Sequence, residues 1–227
     1  MATTGKASAS PATPIPAAAL GASDELPFFT PQRIRLLGIA GAVVLVVGLA
    51  VWFTITAGRR KESFAAAALE QARDAAAQNN FGVAVAGFTR VASTYSGTAA
   101  AYEATLGIAQ TRLVADQNEL AISTLTDFLR TNPPPLYAAP ANSLLGTAYE
   151  NTGKFAEAVV AYRKASSLAT VDYLKASSLL DAGRAAQLAK KPDEAKAIYN
   201  EIISKYAKTG AMTEAQVRLA ELTATSS

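Results

Sequence analysis

The sequence predicts an all-α protein with a disordered N-terminal tail, one transmembrane helix, and an α-solenoid of about four helical hairpins plus a C-terminal capping helix. Two observations support this prediction. An uncharged apolar run stands near the N-terminus, and small residues recur at a fixed interval of 37 residues in the rest of the chain. The run is long enough for a membrane span, and such an interval is typical of helical hairpins that stack side by side.

The predicted tail, residues 1–32, is rich in Ala, Pro, Ser and Thr. It has neither the two-residue period of a strand nor the 3.6-residue period of a helix. Such a composition buries too little apolar surface to offset the entropy lost when a chain becomes ordered. We therefore expect this segment to be disordered.

The predicted anchor covers residues 33–61, and its centre is the uncharged run 36–57. With a rise of about 1.5 Å per residue, a helix of this length reaches about 33 Å, enough to cross a hydrocarbon core of about 30 Å. The flanking basic residues are Arg33, Arg35, Arg59, Arg60 and Lys61. The run therefore predicts a single-pass helix that contacts the lipid bilayer.

A cleaved signal peptide and a buried soluble helix are the alternatives for this run. A signal peptide has a short basic leader and about 7 to 15 apolar residues, whereas this run follows a 35-residue leader and is longer. A core helix normally keeps a polar face, which this run does not have. We favour an uncleaved anchor.

The repeat domain is expected over residues 62–227, where the spacing of apolar residues becomes helical. Helix caps and turn residues place the helices near 62–79, 82–95, 99–115, 118–131, 138–152, 155–168, 173–190, 193–206 and 210–223. They pair into hairpins at about 62–97, 98–135, 136–171 and 172–209, followed by a cap at 210–223. The alanines that define the interval are Ala84, Ala121, Ala158 and Ala195, each followed four residues later by Phe88, Leu125, Tyr162 or Tyr199.

The third hairpin has a more specific pattern. It contains Leu145-Gly146-x-x-Tyr149 and then Ala158 and Tyr162, and in this it resembles the tetratricopeptide repeat. Small residues at Gly146 and at Gly183, one interval later, are expected to let the two helices of a repeat approach closely. Tyr149 and Tyr162 are expected to fill the gap between neighbouring repeats.

One anchor followed by such repeats resembles the family of the ancillary subunit of the Sec translocon. The resemblance implies a bacterial inner-membrane protein with a cytoplasmic N-terminus and a periplasmic, chaperone-associated repeat domain. The partners it implies are translocon subunits, periplasmic chaperones or emerging chains. The charge count points the other way, because two basic residues precede the span and three follow it, which favours a cytoplasmic repeat domain.

A solenoid of helix pairs presents a concave groove lined by the first helix of each pair, suited to an extended peptide or a partner helix. The repeat register places these candidate partner-binding residues there: Arg73, Gln110, Thr147, Glu150, Asn151, Arg184 and Gln187. Their mixed charge argues against one strongly acidic or basic ligand. For each residue the alternative is an ordinary solvated helix position.

The composition excludes several kinds of site. The chain has no Cys and no His, which removes disulfides, Cys/His dyads, Ser/His/Asp triads and the commonest metal ligands. Residues 62–227 carry 15 basic and 16 acidic side chains, without the basic cluster that nucleic acid requires. We predict no enzyme activity, cofactor, metal site or nucleic-acid partner.

The sequence as a whole predicts a membrane-anchored scaffold for protein–protein interactions, ancillary to protein translocation or envelope protein biogenesis. The alternative is an adaptor whose repeats face the cytoplasm and recruit a cell-division or signalling partner to the membrane.

Overall fold

We describe a computed structural model of the chain, which covers residues 31–224. Every regular element in this range is an α-helix. The helices are α1 (Pro31–Ala77), α2 (Phe81–Thr94), α3 (Ala99–Val114), α4 (Asn118–Arg130), α5 (Pro135–Asn151), α6 (Phe155–Leu168), α7 (Asp172–Leu188), α8 (Pro192–Lys205) and α9 (Ala211–Ala224). The chain divides into two compact units, Met1–Thr54 and Ile55–Ser227.

Helix α1 differs from the sequence prediction. The predicted anchor and the predicted first repeat helix, 62–79, are parts of one continuous helix of 47 residues. The connecting residues 58–63 contain Gly58 but no Pro, and Arg, Lys and Glu are good helix formers, so nothing there stops the helix. Pro31 and Gln32, assigned to the tail, begin α1, since Pro is well suited to a first helical position. The rest of the tail lies outside the described residues.

The first unit contains most of the apolar part of α1. Among the described residues, one helix is long and apolar enough to cross a membrane, with a candidate span of Arg35–Ala77. Its apolar stretch is not buried inside the protein, and side chains such as Leu37, Leu45 and Phe53 are exposed. No protein core therefore covers this part of the helix within the described range.

Helices α2 to α9 begin and end within three residues of the predicted bounds. The largest difference is at α5, which begins at Pro135 because proline fits the first turn, where its missing N–H is not needed. At α3 the Thr98 side chain accepts a hydrogen bond from the Ala101 N–H at 3.1 Å, as an N-cap residue does.

The turn inside each hairpin repeats at the same 37-residue interval. One residue per turn has a positive φ, namely Asn79 (59°), Asp116 (55°), Gly153 (74°) and Lys190 (58°). In each turn the next residue donates its N–H to the carbonyl five residues earlier, at 2.7 to 3.0 Å. The donor and acceptor residues are Asn80 and Ala75, Gln117 and Arg112, Lys154 and Tyr149, and Lys191 and Ala186. This is the left-handed ending that closes many helices. All four hairpins therefore share one turn geometry.

The helices are stacked in chain order. From α2 to α9 each helix packs against the next, and α3 also contacts α5, as α7 contacts α9. Contacts between neighbouring elements, with no common centre, define a solenoid.

The apolar core is divided along the stack. One cluster joins α1 to α3, a second joins α3 to α6, and a third joins α6 to α9. Tyr149 is half-buried and packs against both the second and the third cluster. The residues that define the sequence interval are all buried, namely Ala84, Phe88, Ala121, Leu125, Ala158, Tyr162, Ala195 and Tyr199.

Candidate partner-binding groove

Two buried tyrosines bring hydroxyl groups to the first helices of the third and fourth hairpins. A Cβ atom added to Gly146 would lie 2.6 Å from Cε1 of Tyr162, so the ring occupies the space that a side chain would need. Tyr199 lies against Gly183 in the same way. Each tyrosine therefore fills the space inside its own hairpin, and Tyr162 also belongs to the cluster that reaches α7.

The tyrosine hydroxyls bond to residues that the sequence assigned to the groove. The Tyr162 hydroxyl donates to Glu150 Oε2 at 2.9 Å and lies 3.1 Å from Thr147 Oγ1. The Tyr199 hydroxyl donates to Gln187 Oε1 at 2.8 Å. Burial raises the pKa of Tyr162 and raises that of Tyr199 to about 12, so both hydroxyls keep their protons at neutral pH.

An ion pair joins α5 to α7 beside Tyr162. Arg184 Nη2 donates to Glu150 Oε2 at 2.8 Å and also lies 3.2 Å from Asp181 Oδ1. The hydrogen bond to Glu150 raises the pKa of Arg184, while burial raises the pKa of the Asp181 carboxyl despite the neighbouring Arg184 charge. The carboxylates therefore hold Arg184 in place and balance its charge.

A second ion pair joins α1 to α3. Arg73 Nη2 lies 2.6 Å from Glu103 Oε2, and Arg73 Nη1 lies 2.5 Å from Glu70 Oε1. These hydrogen bonds raise the pKa of Arg73. Its charge is therefore also balanced by acids.

Asn151 ties α5 to the turn between α3 and α4. Its Nδ2 donates to Asn118 Oδ1 at 2.8 Å, and Asn118 Nδ2 in turn donates to Asp116 Oδ1 at 2.7 Å. The amide of Asn151 is therefore part of the contact between repeats.

Three cavities follow one another along the first helices of the hairpins. A cavity of about 560 Å³ lies between α1 and α3, one of about 440 Å³ lies over α3, α5 and α7, and one of about 190 Å³ lies between α7 and α9. The first two share Leu106 and Gln110, and the last two share Ser177. These shared residues make the three cavities neighbours along the stack, and we call the row of cavities the trough.

The structure separates the candidate residues into two groups. Arg73, Gln110 and Arg184 line the trough. The others, Thr147, Glu150, Asn151 and Gln187, do not line these three cavities, and each takes part in the hydrogen bonds described above.

Sequence reasoning missed several residues. Leu136 and Leu174 line the middle of the trough and are exposed. The sequence signal for them was a large apolar residue in the first turn of a helix, at a position outside the set of repeat positions that are buried. Gly107 was also missed, although a Cβ atom there would lie 2.9 Å from the Phe88 ring. Within the described residues, no group of three or more acidic side chains is placed to hold a metal ion.

Comparison with known proteins identifies the family. Residues 54–173 match the family described as tetratricopeptide repeat-like domain, and residues 177–209 match the tetratricopeptide repeat family. The first match covers more than half of the chain, so this protein belongs to the tetratricopeptide repeat-like family. Among curated proteins, none matches the chain.

Solved structures show the same fold. The chain is similar to the tetratricopeptide-like repeats of a putative kinesin light chain from Podosopora anserina, with 19% identity, a TM-score of 0.55, and coverage of 71% of this chain and 86% of that one. It is also similar to MamA protein, with 19% identity, a TM-score of 0.52, and coverage of 70% and 86%. A helical-repeat fold of this family is typical of protein interaction scaffolds and not of enzymes.

Proposed function

We propose that this protein is a membrane-anchored scaffold that holds partner proteins in the trough, in a role ancillary to protein translocation or envelope protein biogenesis. The observation that carries the proposal is the row of three cavities over α1, α3, α5, α7 and α9, in which each cavity shares lining residues with the next. A row of cavities along a stack of helices suits an extended segment of another polypeptide.

The exposed apolar part of α1 supports the proposed anchor. Residues 36–57 are uncharged, and their large side chains are exposed among the described residues. Such a surface is stable in lipid, where a helix satisfies its own backbone hydrogen bonds. After membrane fractionation, the full chain should resist alkaline extraction, and a chain lacking residues 36–57 should be released.

Photo-crosslinking in intact membranes tests the scaffold. A photo-crosslinking amino acid at Gln110 or Ser177, both in the trough, should yield protein adducts. The same amino acid at Val160, an exposed residue of α6 outside the trough, is the matched control. Adducts of equal yield from Val160 and Gln110 would contradict binding through the trough.

The proposed orientation places the repeats in the periplasm of a bacterial inner membrane, with translocon subunits, periplasmic chaperones or emerging chains as partners. In sealed spheroplasts, added protease should then digest a C-terminal tag. A protected tag would instead support the second candidate, a cytoplasmic adaptor for a cell-division or signalling partner, which the extra basic residue after the span favours.

A further inference from the structure

The middle of the trough differs in chemistry from its ends. We call the cavity over α3, α5 and α7 the central cleft; the side chains that line it include no charged residue. Arg73 and Glu103 line one neighbouring cavity, and Asp181 and Arg184 line the other. The trough therefore has an uncharged middle between two charged ends.

The charged ends are internally balanced. Arg73 pairs with Glu70 and Glu103, and Arg184 pairs with Glu150 and Asp181. A ligand charge brought to either end would compete with an ion pair that already exists. A charged group on a partner would therefore add little binding free energy along the trough.

Large apolar side chains define the walls of the central cleft. Leu136 lies in the first turn of α5 and is 74% exposed, and Leu174 lies in the first turn of α7 and is 49% exposed. Leu106 and Leu144 also line the cleft. Exposed leucines gathered around a depression mark a surface that gains free energy when another apolar group covers it.

Polar groups in the central cleft are free to bond a partner. The side chains of Gln110, Ser143 and Ser177 have no hydrogen-bond partner among the described residues, although all three line the cleft. Pro140, also in the lining, has no N–H, so the Leu136 carbonyl does not receive the usual helical hydrogen bond from residue 140. Donors and acceptors of this kind match the N–H and C=O groups of an extended peptide backbone.

We infer that the central cleft binds an extended segment of a partner polypeptide that carries aliphatic or aromatic side chains and no charge. The apolar side chains pack among Leu106, Leu136, Leu144 and Leu174, and the peptide backbone bonds to the free polar groups. This inference rests on the proposed scaffold function and specifies the chemistry of the partner.

Peptide binding to the full chain in lipid nanodiscs tests the inference. The probes are short fluorescent peptides of Gly, Ser and Asn that carry a pair of leucines, with matched peptides in which Glu or Lys replaces both leucines. The leucine peptide should bind at least about tenfold more tightly than either charged peptide, the ratio expected from burying a leucine. Equal or tighter binding of a charged peptide would overturn the inference.

Variants locate the binding. Leu136→Glu and Leu174→Glu should each weaken binding of the leucine peptide about tenfold or more, because each puts a charge into the wall of the cleft. Leu120→Glu is the matched control, since Leu120 is 52% exposed on α4 and does not line the cleft. Ser177→Trp should block the cleft by volume, without an added charge. Unchanged affinity in all three cleft variants, or an equal loss in Leu120→Glu, would overturn the inference.

The two proposals fail in different ways. Trough adducts from Gln110 in membranes, together with a preference for charged peptides, would refute the central cleft and leave the scaffold standing. Absence of every trough adduct would refute the scaffold itself. Adducts to lipid alone from a photo-crosslinking amino acid at Leu174 would refute the polypeptide partner and assign this leucine to the membrane surface.

Discussion

Gly146 and Tyr162 are matched partners, because the tyrosine ring lies where a side chain at residue 146 would project. The contact sets the distance between α5 and α6. It also directs the Tyr162 hydroxyl to Glu150. This packing contact within one hairpin thus positions Glu150, which pairs with Arg184 of the next hairpin.

Gly146→Ala should destabilise the repeat domain by about 1–3 kcal/mol, because the new methyl group and the Tyr162 ring cannot share one space. Gly82→Ala is the control, since no atom lies within 4 Å of the corresponding Cβ position in α2. There the loss of backbone freedom in the unfolded state should stabilise the protein by about 0.4–1 kcal/mol. Chemical denaturation of both variants measures the difference, and a stabilising Gly146→Ala would contradict the packing.

Lys190→Gly should stabilise the protein by about 1 kcal/mol. Lys190 has a φ of 58° at the turn between α7 and α8, a conformation that costs a non-glycine residue about 1–2 kcal/mol. Gly153→Ala, at the same position of the preceding hairpin, should be destabilising by a similar amount. Thermal unfolding measures both changes. The same sign of change in the two variants would show that the turns are not equivalent.

Arg184→Gln should destabilise the protein by about 1 kcal/mol. It leaves the Glu150 carboxylate, which is only 13% exposed, without its cationic partner. The expected loss is below the usual range for charged hydrogen bonds, because Arg184 is itself 52% exposed and its charge is screened by solvent.

Arg130→Gln is the control for Arg184→Gln. It removes an ion pair with Asp127 whose two partners are both exposed, so it should leave the denaturation midpoint unchanged. Equal effects of the two variants would mean that the link between α5 and α7 adds no stability.

Deprotonation of Tyr199 should lower the stability of the protein at alkaline pH. Burial raises the pKa of Tyr199 from 10.0 to about 12. The folded state therefore keeps the proton more tightly than the unfolded state. This contribution to stability is fully present below pH 10 and is lost as the pH rises towards about 12.

Tyr199→Phe should flatten the fall in stability over that window. The free energy of unfolding, measured by chemical denaturation at several pH values, tests this expectation. Tyr173→Phe is the control, because the Tyr173 side chain is exposed. A slope that is unchanged in Tyr199→Phe would show that this hydroxyl does not control alkaline unfolding.

The repeat architecture could be predicted from sequence because its cause is local and periodic. One interval of 37 residues predicted the order of helices, and the residues that mark it are all buried. Gly153 signalled its turn, since glycine accepts a positive φ readily. Lys190 gave no such signal, because lysine rarely adopts a positive φ.

Other features could not be predicted because they depend on contacts between distant residues. Arg112 stands at the position that Tyr149 holds one interval later, but it donates a hydrogen bond to the Leu120 carbonyl in α4. The pairing of Glu150 with Arg184 spans 34 residues. Neither follows from the repeat register, which specifies positions and not partners.

The sequence alone determined the helical content, the position of the apolar run and the register of the hairpins, because spacing along the chain decides which side chains share one face of a helix. The tertiary structure decided which polar residues face the trough freely and which are held by neighbours, as Gln110 and Glu150 illustrate. Side chains of separate hairpins come within hydrogen-bonding distance only when the hairpins stack. The polar contacts beside the trough therefore depend on the tertiary structure.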